Sequence, residues 1–110
     1  MNIRTIRIAA GLAAALILGA CFRQDVRTLV VKVPGMRTTE CSKIIQGALA
    51  RIDGIISVQP DIEKRTLVVE YNSTKLAIKN IEYQIAGLGF DANDAQGKAE
   101  AKAALPADCR

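Results

Sequence analysis

Three cysteines and no histidine set the chemistry open to this chain of 110 residues. Without histidine the commonest general base and the commonest metal ligand are both missing, and sulfur is left as the reactive group. Cys41 closes the stretch Gly35-Met36-Arg37-Thr38-Thr39-Glu40-Cys41. Before it, Leu29, Val31 and Val33 alternate with Thr28, Val30 and Lys32, the two-residue period of a strand with one buried face. After it, Ile44, Ile45, Ala48, Leu49 and Ile52 fall on one stripe of a helix. Thr38 or Thr39 can cap that helix, which puts Cys41 in its first turn. There the orphan N–H groups and the positive dipole end favour a thiolate. The same position equally suits a small, buried apolar side chain, as unpaired cysteines often are.

Other chemistries find no residues to carry them. The chain has no glycine-rich phosphate loop and no nucleophile elbow. Thr39 and Ser42 lack a neighbouring base and read as helix-start residues. Asp53, Asp61 and Glu63 sit on turns, most simply solvated. The expectation is a protein that is not an enzyme.

The elements around Cys41 follow from the pattern. The first strand covers about Arg27 to Val33, Pro34-Gly35 breaks it, and the first helix runs from about Thr39 to Ile52, ended by Asp53-Gly54. Ile56, Val58, Pro60 and Ile62 alternate as a second strand, and Pro60 sends it to a sheet edge because proline has no N–H for a ladder. Glu63-Lys64 turns into a third strand, Arg65 to Tyr71, with Leu67, Val69 and Tyr71 inward. A second helix with Ile78, Ile81, Ile85 and Leu88 on one face ends at Gly89, and Ala77 gives its start no capping side chain. Phe90 to Asn93 completes a fourth strand. The β-α-β-β-α-β order predicts an α+β, ferredoxin-like sandwich. Its predicted core is Leu29, Val31, Val33, Ile45, Leu49, Ile52, Ile56, Val58, Leu67, Val69, Ile81 and Ile85. The RNA-recognition motif shares this order, but the outward positions Thr28, Val30, Lys32, Thr66, Val68 and Glu70 offer no aromatic for base stacking. No nucleic-acid partner is expected.

Gly35-Met36 and Cys41, with Leu49, Asp53-Gly54-Ile55, Val58, Glu63-Lys64, Val68-Val69-Glu70-Tyr71 and Leu88-Gly89-Phe90-Asp91, resemble the heavy-metal-associated domain family of copper chaperones and periplasmic mercury-binding proteins. The resemblance covers about Thr28 to Asn93. It implies the sandwich fold with strand order 4-1-3-2, and a loop reading Gly-Met-x-Cys-x-x-Cys whose two thiolates hold a soft ion such as Cu(I) or Zn(II). Here Thr38 occupies the first cysteine position and only Cys41 matches. Met36 and Thr38 become loop support, Met36 as a core filler. A lone thiolate makes a weak soft-metal site. The implied partners are the metal ion and a metal transporter or another extracytoplasmic protein; a metal-free adaptor lipoprotein is the alternative.

The chain ends add location and a second sulfur. Arg4 and Arg7, the apolar run Ile8 to Leu18, and Leu18-Gly19-Ala20-Cys21 describe a secretory signal over residues 1–20. Leu-Gly-Ala-Cys resembles a bacterial lipobox, with Cys21 the lipidated first mature residue, residues 21–26 a short tether and residues 27–93 the domain. The expected location is the cell envelope, anchored in a membrane by lipid and facing the periplasm or the exterior. The 15 basic and 11 acidic side chains give +4, and loss of Arg4 and Arg7 lowers this to about +2, too little to argue for nucleic acid. Residues 94–110 are alanine-rich with Pro106 near the end, a helix former whose only docking groups are Leu105 and Cys109. A fourth strand descending roughly 13 Å and a tail helix over Ala95 to Leu105 rising about 16 Å nearly cancel. Cys109 is therefore expected back at the level of Cys41. The two would form a disulfide when oxidised, or a thiolate pair for a soft metal when reduced. The alternative leaves Cys109 on a disordered end.

Overall fold

The computed structural model describes residues 25–110. The expected signal segment and the expected lipidation site, Cys21, lie outside the described residues. Strand β1 (Val26–Lys32) leads through the Gly35 loop into helix α1 (Thr39–Leu49), then β2 (Ile55–Asp61), β3 (Thr66–Asn72) and helix α2 (Ile78–Gly87). A short helix α3 (Ala99–Ala104) and a 3-10 turn (Ala107–Cys109) complete the chain. The sheet runs β1-β3-β2, with both pairings antiparallel. Pro60 therefore sits on an edge strand, where its missing N–H costs no ladder bond.

One face of the sheet carries both helices. Val31, Leu67, Val69 and Tyr71 point inward from the strands and meet Cys41, Ile45 and Leu49 of α1 and Ile81 and Ile85 of α2. On each helix the buried residues recur at four-residue spacing, which keeps them on one stripe. Leu29, Ile52 and Val58 pack at the margin of this core.

Two expectations fail. Ile56, predicted as core, is 53% exposed. The register against β3 slips between Ile55 and Ser57, so Ile55 pairs with Tyr71, Ser57 with Glu70, and Ile56 is the extra residue of a bulge that turns it outward. The fourth strand does not form as a ladder either. Phe90 and Ala92 are buried, but the segment's hydrogen bonds to β1 are confined to Lys32, whose N–H donates to Asn93 Oδ1 and whose carbonyl accepts from Asn93 N–H, each at 2.9 Å. Asn93 then takes a left-handed conformation (φ 50°), and Ala92 and Ala95 close a tight turn on each other. The Asp91 carboxylate captures the Gly97 N–H at 2.7 Å, and Lys98 N–H donates to Ala86 O at the end of α2. Local side-chain capture thus curls the chain back before a fourth strand can run along β1.

Helix α2 begins at Ala77 without a side-chain cap. Asn80 compensates in part, its Oδ1 accepting from the Ala77 N–H at 2.9 Å.

Candidate metal centre

The loop before α1 is built around Thr38 and Met36. Thr38 is the N-cap: it lies in extended backbone and its Oγ1 accepts from the Cys41 N–H at 3.4 Å. The Thr38 hydroxyl also lies 3.1 Å from Cys41 Sγ. Since Oγ1 is already an acceptor from the backbone, its own hydrogen is free to point at the sulfur. Met36 is fully buried beneath the loop. Ser42 turns its hydroxyl back to Thr39 O, satisfying a buried polar group inside the first turn.

Cys41 and Cys109 form a disulfide, with Cα atoms 5.5 Å apart across 68 positions of sequence. Both residues are buried, with exposures of 0% and 1%. In the chain-entropy view a loop of this length contributes about 4 kcal/mol to stability.

The path of the tail to this point differs from the expected descent and return. Having turned at Asn93, the chain stays near the loop end of the sheet, and α3 is six residues long instead of eleven. Pro106 follows the α3 cap at Leu105, and the 3-10 turn, closed by Cys109 N–H to Pro106 O, delivers the sulfur. Leu105 is 7% exposed and belongs to the main core, so the tail adds an apolar residue as well as a bond.

Glycines make that docking possible, and sequence reasoning missed two of them in this role. A Cβ on Gly35 would stand 2.9 Å from Cys109 O, and one on Gly97 would collide with the backbone of Gly89. Gly89 itself has φ +105°, and a Cβ there would meet Lys102 N at 2.5 Å. The signal available was slight: Gly89 reads as an ordinary helix terminator, and Gly97 stands in a polar stretch with no period.

Two carboxylates pin the curled segment. Glu82, buried on α2, accepts from Asn93 Nδ2 at 2.8 Å and lies 3.2 Å from Lys79 Nζ. The Lys79 contact is close enough for charge attraction but poorly aligned, and it leaves Glu82 Oε1 without a proper hydrogen bond. The Asn93 hydrogen bond, with Lys79 as the lesser cause, holds the Glu82 carboxyl below its ordinary range despite burial. Asp91 is likewise held down, first by the Gly97 N–H and then by Lys102, whose Nζ is 3.1 Å away.

What this arrangement offers a metal is narrow. Reduction would leave two buried thiols facing each other, with a threonine hydroxyl beside one. No group of three or more His, Cys, Asp or Glu gathers among the described residues. Two sulfurs and no hard ligands suit a soft ion of low coordination number. A Zn(II) site calls for four ligands, and Mg(II) or Ca(II) for an oxygen cage.

Residues 30–91 match the family model described as heavy-metal-associated domain. Copper-transporting ATPase 2 of Rattus norvegicus is 34% identical over 79 residues, covering 72% of this chain and 5% of that protein. The chain therefore spans about a twentieth of the length of the ATPases it matches. The copper chaperone CopZ of Staphylococcus epidermidis is 31% identical over 62 residues, 56% of this chain and 91% of the chaperone. Among solved structures, oxidised MerP from Ralstonia metallidurans CH34 superposes with a TM-score of 0.59 at 24% identity, covering 62% of this chain and 94% of that one; it supports the fold alone.

Proposed function

The chain belongs to the heavy-metal-associated domain family, and we propose that it binds a soft ion of the Cu(I) type between Cys41 and Cys109 once their disulfide is reduced. The observation that carries this reading is the meeting of the two sulfurs at the family's metal loop, where Thr38 has displaced the usual first cysteine. The C-terminal tail supplies the missing thiolate. Helix α1 contributes its N-terminal N–H groups and the Thr38 hydroxyl, both of which stabilise charge on Cys41. A two-coordinate thiolate pair favours Cu(I) over Zn(II). The ion is cargo, received from or handed to a metal transporter or another extracytoplasmic protein. The chain works at the cell envelope, anchored through Cys21. The anchor reading rests on the Leu18-Gly19-Ala20-Cys21 sequence and is tested by Cys21→Ala, which should release the protein to the soluble fraction.

Anaerobic titration of the reduced protein with Cu(I) against a competing chelator tests the binding. One equivalent should bind, with binding abolished by Cys41→Ser, strongly weakened by Cys109→Ser, and absent from the oxidised protein. Equal binding in the oxidised form would remove the pair from the site.

One observation favours a second reading. Both sulfurs are almost wholly buried and the tail packs over the loop through close glycine contacts, as a permanent structural bond would require. In that case the chain is a metal-free adaptor, and the reduced protein ignores Cu(I) while losing stability.

A further inference from the structure

Beside the disulfide lies a cleft of about 160 Å³, with Gly35, Phe90 and Cys109 among its lining residues. Four cationic side chains line it, Arg37 from the metal loop, Arg65 from the turn before β3, and Lys102 and Arg110 from the tail, against one carboxylate, Asp91. Lys102 is matched by Asp91 at 3.1 Å. The three arginines have no carboxylate partner among the described residues. Arg65 Nη1 donates to Pro34 O at 3.4 Å, and Arg110 Nε donates to Leu105 O at 3.0 Å. These backbone contacts steady two guanidinium groups without neutralising them.

Asp91 is already engaged by Lys102 and by the Gly97 N–H, so the concavity keeps an excess of positive charge that an anionic ligand would offset. Apart from its long contact with Pro34 O, nothing in the turn calls for an arginine at position 65. Its backbone is left-handed (φ 53°), a conformation that glycine or asparagine adopts more readily. A glycine there would make the same turn with less strain and no charge.

We propose that this cleft is a binding site for a carboxylate group, held by the guanidinium groups of Arg37, Arg65 and Arg110. A guanidinium presents a planar fork of donors that matches a carboxylate in paired hydrogen bonds. The volume admits one small acid or the end of one acidic side chain. Arg110 and Lys102 reach the cleft only because the tail docks, so the site is assembled by the same docking that brings Cys109 to Cys41. It needs neither reduction nor metal, and its occupancy is read in the oxidised protein, apart from any thiol chemistry.

The test is an NMR titration of the oxidised protein at low ionic strength with two probes, citrate and hexaglutamate. Saturable shifts at the Gly35, Arg37 and Arg110 amides with citrate assign the site to a free small acid. Such shifts with hexaglutamate alone assign it to the acidic side chains of a partner. Arg65→Gly should weaken the bound probe by roughly twofold to fivefold, as loss of one solvent-exposed ion pair does. Its melting temperature should stay level or rise, which excludes misfolding as the cause. Arg37→Ala in that background should weaken binding further. No saturable shift with either probe, shifts centred away from the cleft, or unchanged affinity in Arg65→Gly would overturn the proposal.

Discussion

The two ends of the sandwich are built differently. At the loop end, α1 starts on a side-chain cap, the Cys41 sulfur is buried, and the tail is fixed by a disulfide, by Leu105 and by two carboxylates. At the other end, α2 starts on Ala77 with no capping side chain, and Lys75 meets Asp53 at 3.1 Å in an ion pair whose side chains are 49% and 86% exposed. A fold that needed only to be stable would have no reason to concentrate its covalent and close-packed contacts on one loop. The asymmetry marks the Cys41 loop as the part whose geometry is held.

Substitutions at the two ends should therefore differ, and the largest effect is at the disulfide. Cys109→Ser should cost about 4 kcal/mol in denaturant unfolding, and reduction of the wild-type protein should cost a similar amount. A loss near zero would make the two ends equivalent. Gly89→Ala comes next. A Cβ at φ +105° that also meets Lys102 N should cost roughly 2 to 3 kcal/mol and should expose the tail to proteolysis. An intact tail in that variant would show the clasp to be incidental.

The sequence displayed the fold more openly than the site. Leu29, Val31 and Val33 alternate, Ile45 and Leu49 recur at helical spacing, and Pro60 names its own edge, because periodicity and missing donors are local properties. The bulge at Ile56 has no such marker: Ile55 and Ile56 are interchangeable until β3 selects one of them. The fourth strand was lost to Asp91 and Asn93, whose side chains act on positions that only the folded chain brings close. Cys109 could be suspected of reaching Cys41 from the lengths of the intervening elements. The route it takes depends on Gly89 and Gly97 lying against each other, which no periodicity encodes.

The helix starts at the two ends should differ by smaller amounts. Thr38→Ala should cost about 1 kcal/mol as a lost cap, while Ala77→Ser at the opposite end should gain up to about 1 kcal/mol. Thr38→Ala should also raise the pKa of the reduced Cys41 thiol, readable by its ultraviolet absorbance, whereas Ala77→Ser should leave it unchanged. A cap effect of the same size and no thiol effect would reduce Thr38 to a plain helix start.

Acid should loosen the loop end. Glu82 and Asp91 both have carboxyls held below their ordinary values of 4.5 and 3.8. A depressed folded pKa contributes stability that is fully present above the unfolded value and is lost as pH falls through the folded one. The contribution of Glu82 is therefore complete above about pH 4.5 and fades below it. Hydrogen exchange at Asn93 and Gly97 should accelerate below that point before exchange in β3 does. Glu82→Gln should flatten the acid limb at Asn93, and simultaneous loss of protection in β3 would place the weakness elsewhere.

Whether the tail restores the thiolate which Thr38 removed from the loop is read from X-ray absorption at the copper edge of the reduced, Cu(I)-loaded protein. Two sulfur neighbours are expected in the wild type and one in Cys109→Ser. A shell of nitrogen or oxygen neighbours, or a sulfur count that Cys109→Ser leaves unchanged, would contradict that role of the tail.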